Sequence, residues 1–170
     1  ITPAQAEELG IFVMPMPFCV GDKQYLEGIS LSAEEFYSSQ EQGINITTSQ
    51  PSAHDITEFW DKILETHDQI LHIPMSKALS GTFETAYMQA KKYEGKVVIV
   101  DNQRISATQR QSVLDAMELL EVGETPEMIK ERLEREGKNS SIYLTVDDLG
   151  FLRRGGRITA AGAAIGSVLN

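Results

Sequence analysis

The sequence contains few of the residues that build common metal, disulfide and nucleic-acid sites. It has one cysteine, Cys19, so no disulfide can form within the chain and no cluster of thiolates can bind a metal. Lys+Arg number 15 against Asp+Glu 25, and the resulting net charge of −10 repels phosphate backbones. We therefore expect no nucleic-acid partner, and a reducing compartment fits the low cysteine content.

Long apolar runs are also missing. No run approaches the roughly 20 residues that a membrane-spanning helix needs, and the first residues show no basic-then-apolar signal pattern. We expect no membrane span. The sequence begins at Ile1 and ends at Asn170 within a helical pattern that has no cap, and we interpret it as a piece of a longer chain.

The fingerprints of nucleotide and metal sites are absent. There is no G-x-G-x-x-G after a predicted strand and no G-x-x-x-x-G-K-[ST], so we expect no bound nucleotide cofactor. The three histidines, His54, His67 and His72, follow no standard ligand spacing, and we expect no metal. His72 lies in an apolar run, which is typical of a hydrogen-bonded core residue.

The residues that are present predict a mixed α/β fold. Capping patterns begin helices at Thr2, Ser32, Ser52 and Thr125. Apolar runs predict strands at residues 70–75 and 97–101, β-branched residues predict one at 44–48, and we expect a last strand at 141–146. Strands that alternate with amphipathic helices imply parallel crossovers, so we predict a three-layer α/β/α domain with a mainly parallel sheet.

The end of the sequence differs from the rest. Residues 159–170 are dominated by Ala, Gly and Ser, which allow a helix to pack closely against a neighbour. We therefore assign residues 1–150 to the α/β domain and residues 151–170 to a linker and the beginning of a second, smaller α/β domain.

Three polar stretches predict a binding site for a small anion. Residues 48–52 (TSQPS) and 76–82 (SKALSGT) each follow a predicted strand, and the ends of parallel strands meet at the edge where open α/β folds bind ligands. Residues 155–157 (GGR) add a flexible backbone and a guanidinium that can bind a carboxylate or phosphate. Hydroxyl groups beside a guanidinium suit a small anionic head group.

Other roles remain open for the same residues. Thr48, Ser52, Ser80 and Thr82 could each simply cap a helix. Gly155 and Gly156 could form only a turn, with Arg153, Arg154 and Arg157 a solvated basic cluster. A serine nucleophile would need a base, and His54 is the only histidine near a candidate hydroxyl in sequence.

In this order, four motifs resemble the series found in the DegV family of bacterial fatty-acid-binding proteins. They are TSQPS at residues 48–52, LSGTF at 79–83, Val100-Asp101 with Ser106 downstream, and LRRGGRI at 152–158. Each motif is short, but four in sequence are specific, and together they cover nearly the whole chain.

The resemblance implies a protein that holds a long-chain fatty acid between two domains. Family members of this type present the lipid to a separate ATP-binding kinase subunit, which phosphorylates the carboxylate to an acyl phosphate. Carried over by motif, Thr48, Ser49, Ser80, Gly81 and Arg157 would bind the carboxylate. The resemblance also implies a bacterial cytoplasmic protein that is not itself a complete enzyme and has no cofactor.

The sequence departs from the family pattern in places. Family chains begin with an earlier strand and continue into a full second domain, which supplies a histidine to the head-group site. Ser76-Lys77-Ala78 stands where Ser-Ser-Gly is more usual, and residues 106–109 replace a glycine-rich stretch. The alternatives to lipid binding are a phosphotransferase or hydrolase of a small acid that uses Ser80 as nucleophile, and a folded module without activity.

Overall fold

The computed structural model describes residues 1–143, 145–146, 149–159 and 162. The strands are β1 (Pro17–Val20), β2 (Lys23–Leu26), β3 (Ile46–Thr48), β4 (Ile70–His72) and β5 (Val97–Ile99). The helices are α1 (Pro3–Leu9), α2 (Ala33–Glu41), α3 (Ala53–Leu64), α4 (Thr82–Ala90), α5 (Ser106–Glu121), α6 (Pro126–Glu136) and α7 (Leu149–Arg154). Short 3-10 helices follow α4 and α6, at Lys91–Tyr93 and Gly137–Asn139.

The predicted helix starts are confirmed by their caps. The side chains of Thr2, Ser32 and Ser52 each accept a hydrogen bond from the backbone three residues later, and in each case that third residue's side chain bonds back to the cap. Thr125 accepts a bond from Met128 N–H and is followed by proline at the first helical position. These local patterns satisfy backbone donors that no helical carbonyl can reach, which is why they can be read from sequence.

The α/β prediction is confirmed, and the layers are visible in the core. Along β5, Val97 and Ile99 pack with α3 and α4, whereas Val100, just past the strand, packs with α5 and α6. Successive residues of a strand point to opposite faces, so one parallel strand pair is covered by helices on both sides. The two clusters consist of Ile56, Trp60, Ala86, Val97 and Ile99 on one face, and Val100, Ala116, Ile129 and Leu133 on the other.

The sheet topology of the described residues does not clearly show the mainly parallel sheet that we expected. In the described part of the chain, β4 and β5 form a parallel pair, but β1 lies between β2 and β3 in a separate antiparallel sheet. Phe18 of β1 is paired with Thr48 of β3. Since β3 and β4 belong to different sheets, β3 is not a parallel neighbour of β4. Apolar periodicity locates strands, but it does not determine which strands pair, so the sequence could not predict this arrangement.

Two predictions concern the last part of the chain. Residues 141–143 and 145–146 do not form a strand, although a strand was predicted over 141–146, and Tyr143 is 95% exposed. Leu144 lies outside the described residues. So does nearly all of the predicted small-residue helix at 159–170, and the domain division at residue 150 stays a prediction.

Candidate functional site

The loop at residues 48–52 joins β3 to α3. Thr48 is the exposed last residue of the strand, and Ser49 N–H donates to the carbonyl of Pro17, 3.1 Å away. Ser52 caps α3, since its hydroxyl accepts from Asp55 N–H at 3.1 Å and donates to the Asp55 carboxylate at 2.7 Å. The Ser52 hydroxyl and the Ser52 backbone N–H both donate to the Asp55 carboxylate, and these two bonds lower the pKa of Asp55 below its ordinary value. Ser52 is therefore a capping residue, whereas Thr48 is not.

The loop at residues 76–82 joins β4 to α4. Backbone N–H groups of Leu79 and Ser80 both donate to the carbonyl of Ser76, which makes a tight turn. Ser80 Oγ lies 2.8 Å from Thr82 Oγ1 and accepts from Thr82 N–H at 3.3 Å. The N-cap position of α4 is Gly81, which has no side chain to cap with. The half-buried Ser80 hydroxyl thus lies at the start of a helix, where backbone N–H groups favour an anion.

Gln50 brings these two loops together. Its Nε2 donates a 2.9 Å hydrogen bond to Thr85 Oγ1 in the first turn of α4. A Cβ added at Gly81 would collide with Gln50 Oε1. The prediction that the two hydroxyl-rich loops lie near one another therefore agrees with the structure, although the contact is made by side chains and not by neighbouring parallel strands.

Arg157 reaches the same loop from the far end of the chain. It follows α7, and its Nη2 donates a 3.2 Å hydrogen bond to Thr48 Oγ1. Its Nη1 donates to the Gly155 carbonyl at 2.5 Å, and its backbone N–H donates to the Leu152 carbonyl at 2.8 Å. Thr48 Oγ1 is the acceptor in this bond, so the bond does not use the Thr48 hydroxyl proton, and no acceptor for that proton lies among the described residues.

The five predicted site residues thus lie on three connected segments. Thr48 ends β3 and Ser49 follows it, Ser80 and Gly81 directly precede α4, and Arg157 follows α7. The structure joins Arg157 to Thr48 directly and joins the other two segments through Gln50. Sequence analysis missed Gln50 as a site residue, and its place between Ser49 and Pro51 in a motif already selected was the available signal.

Lys77 adds a charge to the second loop. Its Nζ lies 2.5 Å from Asp101 Oδ2 and 5.5 Å from the centroid of the Phe83 ring. The hydrogen bond and the charge of Asp101 raise the pKa of Lys77. Asp101 N–H in turn donates to Glu134 Oε1 at 2.8 Å. This charge is already paired, so Arg157 is the more suitable cation for a bound carboxylate.

A buried polar network lies past the end of β5. Asn102, only 2% exposed, donates through Nδ2 to Ser112 Oγ at 2.7 Å. Arg104 Nη1 donates to the same oxygen at 3.1 Å, and Arg104 Nη2 donates to the carbonyl of Glu136. These groups connect α5 to the end of α6. Ser106, which belongs to the third motif, is exposed at the first position of α5.

The histidines and the Ser80 hydroxyl do not form a nucleophilic site in the described residues. His72 Nδ1 accepts a 3.2 Å hydrogen bond from Trp60 Nε1, and burial lowers the His72 pKa to about 4. His72 is therefore a neutral core residue, as predicted. His54 is exposed on the first turn of α3. The hydrogen bonds of Ser80 Oγ within the described residues are to Thr82, and no base accepts its proton there.

The described residues contain neither a candidate metal cluster nor a candidate membrane-spanning helix. No group of three or more His, Cys, Asp or Glu side chains there is arranged to hold a metal ion. Among the helices within that part of the chain, none combines the length and apolarity required to cross a membrane.

A groove of about 630 Å³ lies between the β1–β2 hairpin and α3. Its apolar wall includes Met14, Tyr25, Leu26 and Phe59. The charged residues Glu58 and Lys62 also line it. None of the five predicted site residues lines it. Pro51, from the middle of the first loop, does line it and connects the groove to that loop.

Comparison with known proteins identifies the family. A family model described as an uncharacterised protein of the DegV family matches residues 1–170. This chain belongs to the DegV family. A DegV domain-containing protein of Deinococcus radiodurans is 33% identical over 171 residues, which cover 100% of this chain and 61% of that protein. A relative from Halalkalibacterium halodurans is 32% identical and is matched over 98% of this chain and 60% of its own length.

Solved structures of DegV proteins share the fold. A DegV family protein from Thermus thermophilus, whose structure is described as showing fatty acid binding, has a TM-score of 0.87 and 33% identity. The match covers 100% of this chain and 61% of that one. DegV from Bacillus subtilis, described as a fatty acid binding protein, has a TM-score of 0.79 and 28% identity over 98% of this chain and 60% of its own. This chain therefore spans about three fifths of the relatives that it matches.

Proposed function

We propose that this chain binds a long-chain fatty acid, buries the acyl chain and presents the carboxylate for phosphorylation by a separate ATP-binding kinase subunit. The observation that carries the proposal is the hydrogen bond from Arg157 Nη2 to Thr48 Oγ1, which puts a cation beside a hydroxyl whose proton this bond does not use. Membership of the DegV family and the fatty acid binding described for the relatives from Thermus thermophilus and Bacillus subtilis support it.

The chemistry of the proposed site suits a carboxylate. One carboxylate oxygen would accept from the hydroxyl of Thr48 and the other from that of Ser80, with the backbone of Ser49 and Gly81 close by. The charge of Arg157 offsets the negative ligand on a chain whose net charge is −10. Hydroxyl donors orient the carboxylate but do not transfer a phosphoryl group, and for that reason we assign the chemical step to the partner subunit.

In the proposed reaction a carboxylate oxygen attacks the γ-phosphorus of ATP held by the partner. The new O–P bond gives an acyl phosphate, and ADP leaves. The role of this chain is to hold the carboxylate still and shield the acyl tail from water. We place the reaction in the bacterial cytoplasm, where ATP is available.

We also propose that residues 1–150 form the lipid-contacting α/β domain and that residues 151–170 lead into a second, smaller domain. The relatives extend well beyond the matched region, which leaves room for such a domain. A ligand held between two domains would be enclosed only in a chain of that full length.

Native mass spectrometry of the full-length protein, followed by extraction of bound lipid, tests the binding proposal. We expect one long-chain fatty acid per chain. A delipidated protein that fails to take up added palmitate or oleate would overturn the proposal.

The partner is tested separately. The lipid-loaded protein is incubated with ATP, with and without the ATP-binding kinase subunit of the same bacterium, and acyl phosphate is trapped with hydroxylamine. We expect product only when both proteins are present. Product from this protein alone, lost in Ser80→Ala, would support instead the enzyme that uses Ser80 as nucleophile.

A further inference from the structure

Gln50 makes a contact that the proposed function does not yet use. It follows Thr48 by two residues, and its side chain crosses from the β3–α3 loop to α4. There Nε2 donates to Thr85 Oγ1 at 2.9 Å, and Oε1 lies against Gly81 so closely that a Cβ at Gly81 would collide with it. Gln50 thus packs against the residue that directly follows Ser80.

The two ligand hydroxyls are carried by different sheets. Thr48 ends β3 in the antiparallel sheet, and Ser80 follows β4 of the parallel pair. Within the described residues no strand hydrogen bond joins these sheets. The spacing between the hydroxyls therefore depends on side-chain contacts between the two loops, together with the packing of α3.

Gln50 contacts the first turn of α4. Thr85 is half-buried, and its backbone N–H donates to the Gly81 carbonyl at 3.1 Å, closing the first turn of the helix. Because this backbone hydrogen bond links Thr85 to Gly81, a change in the position of Thr85 would also shift Gly81 and the neighbouring Ser80. Gln50 Oε1 also lies beside Gly81, where it occupies the space that a side chain at residue 81 would need.

Resting on the proposed function, we propose that Gln50 is a positioning residue that sets the separation between the Thr48 and Ser80 hydroxyls, and that Gly81 provides the space for it. A carboxylate that bonds to both hydroxyls requires one particular separation. An alcohol of the same chain length has a single oxygen and tolerates more variation. Gln50 therefore adds to the preference for acid over alcohol that Arg157 provides, without touching the ligand.

The first test uses Gln50→Leu and Thr85→Val, which remove the two ends of the hydrogen bond while retaining most of the side-chain volume. We expect each to weaken palmitate binding roughly threefold to tenfold, as for loss of a neutral hydrogen bond, with hexadecanol affected less. The double variant should be no weaker than the worse single variant, because both remove the same interaction. Thr85→Ser keeps the hydroxyl, so its palmitate affinity should remain close to that of the wild-type protein.

Thr57→Val is the matched control. Thr57 is a half-buried threonine on α3, and its hydroxyl donates to the carbonyl of His54 in its own helix. The control should leave palmitate affinity and the acid-to-alcohol ratio unchanged. Thermal unfolding of every variant separates loss of stability, which lowers both affinities equally, from displacement of the hydroxyls.

The second test examines Gly81. Gly81→Ala adds the Cβ that would meet Gln50 Oε1, so it should weaken palmitate binding in the wild-type background. In a Gln50→Ala background the obstacle is gone, and the same change should have no further effect. Equal losses in both backgrounds would overturn the role of this contact.

The outcomes distinguish this inference from the proposed function. If the wild-type protein binds neither palmitate nor oleate, the proposed function fails. If it binds them and the acid-to-alcohol ratio is unchanged in Gln50→Leu and Thr85→Val, the proposed function stands and the positioning role of Gln50 is wrong.

Discussion

Arg157 donates a hydrogen bond to Thr48 across a separation of 109 residues in the chain. The contact joins the segment that follows α7 to the end of β3. The segment that contains Arg157 therefore lies at the loop of residues 48–52. The guanidinium supplies a positive charge. Its bond to Thr48 uses the hydroxyl oxygen as acceptor and not the hydroxyl proton. Those two effects make separate predictions.

Replacing Arg157 should discriminate between charged and neutral lipids. Arg157→Ala is expected to weaken palmitate binding more than hexadecanol binding, because only the acid gains from the guanidinium. Isothermal titration of both ligands measures the difference. Arg153→Ala, at an exposed arginine of α7, is the control and should change neither affinity. Equal losses for the two ligands in Arg157→Ala would contradict a role in carboxylate binding.

Removing either proposed hydroxyl should weaken fatty acid binding. We expect Thr48→Val and Ser80→Ala each to cost about 0.5 to 3 kcal/mol of binding free energy, the upper end applying to a bond with a charged oxygen. Thr48→Ser and Ser80→Thr retain a hydroxyl and serve as controls. Unchanged affinity in both deletions would remove these two residues from the site.

The free energy of unfolding should decrease as the pH is lowered, because of His72. Burial lowers its pKa from about 6.5 to about 4, so the unfolded state binds more protons between those pH values. The contribution of neutral His72 to the free energy of unfolding is complete above about pH 6.5 and is lost progressively as the pH falls to about 4. From pH 7 to pH 5 we expect the free energy of unfolding to drop by about 2 kcal/mol through this group.

Urea denaturation of two variants checks that assignment. In His72→Phe the drop between pH 7 and pH 5 should largely disappear, although the variant also loses the acceptor for Trp60. His54→Gln, at an exposed position, should keep the wild-type slope. A slope retained in His72→Phe would show that other groups cause the pH dependence.

The end of α6 should tolerate no added side chain at Gly137. A Cβ there would lie 2.5 Å from the backbone oxygen of Asn102, and backbone cannot move aside as a flexible side chain can. Gly137→Ala should lower the free energy of unfolding by about 1 to 3 kcal/mol. The comparison is Gly81→Ala, where the neighbour is the end of the Gln50 side chain, and it should cost less. Similar melting temperatures for both variants would contradict this.

Much of the local structure was predictable from short patterns. Capping boxes at Thr2, Ser32 and Ser52 determine helix starts because they satisfy backbone donors within three residues. Apolar runs locate β4 and β5, which are covered by helices on both faces and therefore need continuous apolar side chains, whereas β3 is indicated by its β-branched residues. The motif series was also readable from sequence, and with it the DegV family.

The sequence by itself determined where helices and strands form and which polar residues follow them. Only the tertiary structure decided that β3 pairs antiparallel with β1, that Gln50 bridges to Thr85, and that Arg157 meets Thr48. The physical reason is distance along the chain. Caps and apolar periodicity are satisfied within a few residues, whereas strand pairing and these contacts depend on how separate elements pack.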